Sequence, residues 1–196
     1  EIYIEFEEVI IDQTNDIVTH YELNKGFNNM DSIFPKLHDL VVSWPFSNTN
    51  TTLLQLLNSN QINTIQNRQL KEELIAYNQE INLFTKNTNT NNTNLIDNLT
   101  SLKFMKNGAF AVYGVSDRML EKFNDMYSTE IIKVADNKLK QISTQILNEP
   151  KTKLEVINMV VFRNALSNLQ KSGNLGLKKR SEQVLQLLKE EISLLE

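Results

Sequence analysis

Apolar residues recur every three or four positions along almost the whole chain, and the longest such run passes through a tract that composition alone would make a loop. From Leu70 the series is Leu70, Leu74, Tyr77, Ile81, Phe84, Thr88, Asn91, Leu95, Leu99 and Leu102. Steps of three and four place all ten on one stripe of an α-helix. Residues 87–94 nevertheless read Asn-Thr-Asn-Thr-Asn-Asn-Thr-Asn. Asn and Thr are poor helix formers that compete for backbone hydrogen bonds, so a loop joining two antiparallel helices is one reading of this tract. The register carried across it supports the other: one helix from about Asn67 to Lys106, held by packing, with a polar layer at Thr88 and Asn91.

The same rhythm organises the rest. Ile2, Phe6, Val9, Ile10, Ile17 and Tyr21 form one stripe, and this helix should end near Asn24-Lys25-Gly26, with Gly in the left-handed position. Asp31 can cap a second helix reaching about Trp44, with Pro35 in its first turn, where a missing amide costs little. Leu53, Leu54, Leu56 and Leu57 mark a short helix after a polar connector. Ser116 or Asp117 can cap a long helix carrying Leu120, Phe123, Met126, Tyr127, Ile131, Val134, Ile142 and Ile146. Pro150 suits the first position of the next helix, whose expected apolar face is Leu154, Ile157, Val160, Val161, Ala165 and Leu169. Gly173 and Gly176 interrupt only weakly before Leu177, Val184, Leu188, Ile192 and Leu195, so the last two segments read as one kinked helix. Five Gly and three Pro leave little material for the tight turns of a many-stranded sheet. The expectation is an all-α antiparallel bundle of long helices with one or two short connecting helices, a single domain over residues 1–196.

Composition removes several chemistries. With no Cys there is no disulfide, thiolate metal site or cysteine nucleophile, and two His cannot build a three-imidazole zinc site. No phosphate-cradling Gly loop or Gly-x-Ser-x-Gly turn occurs. His38-Asp39 is the only imidazole next to a carboxylate, but adjacent helical residues point apart; His20 has Asp16 one turn back, a helix-surface pair. Glu1, Glu5, Glu8, Asp12 and Asp16 form an acidic ridge that reads as a solvated face, and no Glu-x-x-His accompanies it. Lys178-Lys179-Arg180 reads likewise as helix surface. Residues 1–100 hold 5 Lys/Arg against 13 Asp/Glu, and residues 101–196 hold 15 against 11. The net charge of −4 gives no pull toward nucleic acid. No apolar run approaches the ~20 residues of a membrane span. The chain opens inside a periodic segment, Glu1-Ile2-Tyr3-Ile4-Glu5-Phe6, without Met. That opening predicts an excised part of a longer protein with an upstream anchor.

Two stretches carry a resemblance. Leu53 to Lys71, followed by Leu74 and Tyr77, gives a short Leu-bearing helix, a small-polar turn, the link Ile62-Asn63-Thr64-Ile65, and Asn67-Arg68-Gln69-Leu70-Lys71 opening a long helix that reaches a Tyr. This resembles a family of bacterial single-pass membrane proteins with no assigned activity, and the run from Phe162 through Leu195 is similar to that family's closing helices. The resemblance implies a membrane helix just before Glu1 and a helical domain on the outer, periplasmic face of the inner membrane. It brings no functional residues. The resulting expectation is a non-enzymatic domain that binds a partner protein, itself or a small ligand, with no cofactor, no metal and no catalytic residue. Its expected seam is Leu70, Leu74, Tyr77, Ile81, Phe84, Thr88 and Asn91, residues that equally suit a core. The alternatives are an enzyme with a carboxylate or metal site assembled from distant residues, and a cytosolic protein-binding scaffold.

Overall fold

The computed structural model describes residues 1–109, 114–123 and 137–194. The fold is all-α, and no strand occurs among these residues. In chain order the helices are α1 (Ile2–Asn24), a 3-10 turn (Met30–Ser32), α2 (Phe34–Asp39), α3 (Thr51–Asn58), a second 3-10 turn (Gln61–Thr64) and α4 (Arg68–Asn91). A π-helical stretch (Asn92–Thr100) leads from α4 into α5 (Ser101–Lys106), and α6 (Asp117–Phe123), α7 (Asn137–Asn148) and α8 (Pro150–Ser193) follow. The expected positions Met126, Tyr127, Ile131, Val134 and Leu195 lie outside the described residues.

Several local expectations hold for physical reasons that the structure makes explicit. The Asn/Thr tract is helical throughout, so one helical run extends from Arg68 to Lys106. Ser116 caps α6, its Oγ accepting the Met119 amide at 3.3 Å. Pro150 opens α8, which passes Gly173 and Gly176 without a break. Two expectations need correction. The left-handed residue after α1 is Lys25 (φ 54°), not Gly26. Gly26 is used for close approach instead. A Cβ there would lie 2.7 Å from Asn148 Oδ1, and that side chain accepts from the Phe27 amide (2.9 Å) and donates to the Phe27 carbonyl (2.7 Å). The second helix is also far shorter than Asp31–Trp44, because a 3-10 turn and the extended chain after Val42 take its two ends.

The third correction concerns register. In the π-helical stretch the Thr100 and Ser101 hydroxyls donate to the carbonyls five residues back, Leu95 (2.7 Å) and Ile96 (3.1 Å). The wider turn adds most of a residue per turn, and the buried positions become Asn92, Ile96, Thr100 and Phe104, four apart. The expected stripe Asn91, Leu95, Leu99 and Leu102 is thereby rotated outward, leaving Leu99 and Leu102 exposed.

The chain forms two compact units: Glu1–Trp44 with Asn91–Lys171, and Pro45–Thr90 with Ser172–Glu196. In the first, Phe6, Val9, Ile10, Phe27, Phe34, Leu37, Phe104, Met119 and Val156 belong to one buried cluster. Trp44 sits edge-on against Phe123 (5.2 Å between centroids), Phe6 (5.4 Å) and Tyr3 (5.9 Å), arrangements that suit aromatic quadrupoles. Asn92 donates from its amide to the Trp44 carbonyl at 2.9 Å.

In the second unit, Ile62, Leu70, Leu74 and Val184 are buried with Leu53, Leu56, Tyr77 and Leu188 packed against them. Asn89 there pairs with both backbone groups of Phe46, accepting from its amide (2.8 Å) and donating to its carbonyl (3.1 Å). A mid-helix Asn thus holds an extended segment as a neighbouring strand would. The Phe84 ring lies edge-on to Phe46 (5.0 Å) and covers Gly173, where an added Cβ would strike it. Nothing lies within 4 Å of a Cβ built on Gly176. The same substitution should therefore have opposite signs at the two glycines. Gly176→Ala should raise stability by up to about 1 kcal/mol through helix propensity. Gly173→Ala should lower it by about 1–3 kcal/mol through overpacking, and Phe84→Leu in the same chain should relieve that loss. Urea unfolding followed by circular dichroism tests both, and equal effects at the two sites would contradict the packing described.

Candidate interaction face

The part of α8 in the first unit buries Thr152, Val156, Val160, Arg163, Leu166, Ser167 and Gln170, a stripe that mixes polar and apolar side chains. Its centre is Arg163, which is fully buried. The guanidinium donates from Nε to the Leu40 carbonyl (3.2 Å), from Nη2 to the Val42 carbonyl (3.3 Å) and from Nη1 to Ser167 Oγ (2.8 Å). Nη1 also reaches Glu7 Oε2 at 3.4 Å. Burial raises the Glu7 pKa, and the Arg163 charge beside it opposes that rise. Gln170 donates to Asn92 Oδ1 at 3.0 Å. These contacts satisfy the end of α2 and the chain after it, whose carbonyls have no helical partner. The inward half of α8 is therefore a polar clamp on the segment around residues 40–42.

A second buried cluster joins α1, α2 and the start of α6. The Asp39 carboxylate accepts from the Ser116 amide at 2.9 Å, from the Ser116 hydroxyl, and from Gln13 Nε2 at 3.0 Å. Gln13 also donates to Ser116 Oγ at 2.7 Å. Burial lifts the Asp39 pKa to about 6, against the pull of these hydrogen bonds and of the Lys36 charge. Gln13 and Ser116 floor a cleft of about 520 Å³ whose rim includes Asp16, Lys36 and Arg118. Lys36 pairs with Asp16, and Arg118 with Asp12. The Ser116 hydroxyl gives its proton to Asp39 and accepts from Gln13 and Met119, so it is fully engaged. The cluster holds three elements together around one buried carboxyl group.

Because Arg163, Ser167 and Gln170 share the inner side of this part of α8 with Val156, Val160 and Leu166, a second apolar stripe is turned out. Leu154, Val161, Phe162 and Leu169 are between 43 and 65% exposed, and Ala165 is exposed among them. This corrects the expected inward face: Val160 is buried and Ile157 half-buried, but Leu154, Val161, Ala165 and Leu169 face solvent. The helical run from Asn92 to Lys106 lies antiparallel beside this part of α8, tied at one end by Asn92–Gln170 and at the other by Lys103–Glu155 (3.8 Å). It brings the exposed Leu99 and Leu102. Leu154, Val161, Ala165 and Leu169 fall on one stripe of the helix, and an exposed apolar stripe of this kind marks an interaction site.

The expected seam residues fall elsewhere. Leu70, Leu74, Ile81 and Thr88 are buried, and Tyr77, Phe84 and Asn91 half-buried. Leu70, Leu74 and Tyr77 are occupied by the packing of the second unit. The acidic ridge is largely ion-paired: Glu5 reaches Lys122, Glu8 Lys171, Asp12 Arg118 and Asp16 Lys36. His20 contacts the Asn28 carbonyl at 2.6 Å, while Asp16 is taken by Lys36. Arg180 lies against Glu73 and Glu80. Among the described residues no group of three or more His, Asp or Glu side chains is placed to hold a metal ion. No family model matches the chain, and no curated protein or solved structure is similar to it.

Proposed function

We propose that this chain is a non-enzymatic helical interaction module that docks a protein through the outward half of α8. The observation that carries this reading is the second, outward apolar stripe of residues 154–169: Arg163, Ser167 and Gln170 share the buried side with Val156, Val160 and Leu166, while Leu154, Val161, Phe162 and Leu169 are exposed. The outward residues Leu154, Val161, Phe162 and Leu169 gain little from the fold, since each stays about half exposed. Covering them is worth roughly 25 cal/mol per Å² removed from water, a gain that only a partner can supply. The buried polar clusters supply rigidity rather than chemistry, since their hydrogen-bonding groups are spent on each other and on backbone. Consistent with the family resemblance, we place the domain on the outer face of a bacterial inner membrane. No described helix is long and apolar enough to cross a membrane, so the tether of this reading lies outside these helices.

A photo-crosslinking residue put in turn at Val161, Leu169 and Glu22 of the protein as made in its own cells tests the docking face. Positions 161 and 169 should each give one discrete crosslinked protein product, and position 22, on the exposed side of α1, should give none. Equal labelling from all three positions, or none from any, would overturn the assignment.

A further inference from the structure

We propose that the occupant of this face is a second copy of the same chain, packed antiparallel across a two-fold axis. The inference rests on the interaction-module reading and narrows it to one partner. Its first support is charge. Between Glu155 and Lys171 the only ionisable side chain is Arg163, and it is buried. The outward face over nearly four turns of helix is therefore free of charge. A two-fold contact sets the same patch against itself, so any charge near the axis would meet its own kind. A different protein chosen by electrostatic complementarity would find nothing here to read.

The order of side chains is also self-complementary. Pairing two copies antiparallel about the level of residue 163 brings Val161 of one level with Ala165 of the other, so a larger side chain meets a small one. The same pairing brings Asn158 level with Asn168. An Asn amide both donates and accepts, and a paired Asn in an apolar seam fixes register and partner number in coiled coils. Asn158 and Asn168 are both exposed.

Extent is the third support. The α8 stripe together with Leu99 and Leu102 supplies six large apolar side chains, each about half exposed. With their polar rim these approach the ~800 Å² per partner of a standard stable interface. The uncharged centre, with Lys103 and Glu155 only at its edge, also matches the depletion of charge found at interface cores.

Sedimentation equilibrium over a concentration series tests the proposal on the wild-type chain, Val161→Glu, Leu169→Glu and the control Glu22→Lys. The wild type and the control should move from 22.7 kDa toward twice that mass within the micromolar range. Val161→Glu and Leu169→Glu should each weaken association at least tenfold, because Val161→Glu sets two like charges close together beside the axis and Leu169→Glu buries a charge against the partner's apolar stripe. Both positions are exposed, so the circular dichroism melts of these two variants in dilute solution should match the wild type. A wild-type mass that stays at 22.7 kDa to about 500 µM, far above the Kd expected of a standard interface, would overturn the second-copy proposal. If position 161 then still crosslinked to another protein, the docking face itself would stand. A dimer indifferent to both glutamates would overturn the second-copy proposal at this face.

Discussion

Replacing Arg163 with alanine should cost the first unit about 3–5 kcal/mol, the loss typical of removing one partner from a buried ion pair. The cost comes less from the 3.4 Å contact to Glu7 than from what is left behind. Glu7 becomes a buried carboxylate whose charge nothing offsets, and the Leu40 and Val42 carbonyls lose their donors. A buried polar group stripped of its partner carries its whole desolvation penalty. Arg163→Met with Glu7→Gln should recover a large part of the loss, since it removes both charges and keeps apolar volume on α8. Trp44, the only tryptophan, sits in the aromatic cluster of this unit, so its emission during urea unfolding reports the relevant transition. A single Arg163→Ala variant within 1 kcal/mol of wild type would show that the clamp on residues 40–42 is dispensable.

The second large effect is a pH dependence centred on Asp39. Its pKa in the folded chain is about 6, above the ordinary 3.8. A group raised in this way contributes stability that is fully present below about pH 4 and is lost as pH rises through 6. The loss is about 3 kcal/mol. Asp39→Asn cannot titrate. Its stability relative to wild type should therefore improve by about that amount between pH 4 and pH 7.5. Burial lowers the His38 pKa, which moves stability the opposite way below about pH 6.5, and comparing two chains that both carry His38 removes that contribution. Asp39→Ala should be poor at every pH, because the Ser116 and Gln13 donors lose their acceptor. A parallel pH profile for wild type and Asp39→Asn would mean that the three hydrogen bonds, not burial, set the carboxylate.

Apolar rhythm is enough to place α1, the short Leu-bearing α3 and the helical run across the Asn/Thr tract, and capping and proline chemistry place a cap at Ser116 or Asp117 and the Pro150 start. All depend on neighbours within one or two turns. Rhythm could not say which stripe of a helix is covered. Along α8 the polar series Arg163, Ser167, Gln170 steps by four and three and the apolar series Val161, Ala165, Leu169 by four and four, so both fit a helical stripe. The partners that decide between them, Glu7 and Asn92, lie 156 and 78 residues away from Arg163 and Gln170 in the chain. Glu7 sat unremarked beside an acidic ridge whose other members are solvated. The π-helical stretch was hidden for a related reason: an Asn/Thr run has no large side chains with which to mark a change of register. Asp39 has His38 beside it in the sequence, whereas its donors come from residues 13 and 116.

The central claim is that residues 154–169 of α8 turn an apolar stripe outward while Arg163 and Ser167 lie inward beside Val156 and Val160, and the absence of native cysteine makes a direct measurement simple. Single cysteines placed at 154, 156, 160, 161, 167 and 169 would be labelled with a thiol reagent in dilute solution. Fast reaction at 154, 161 and 169, with protection at 156, 160 and 167, is the expected pattern. Fast reaction at 160 and 167, with protection at 161 and 169, would contradict it.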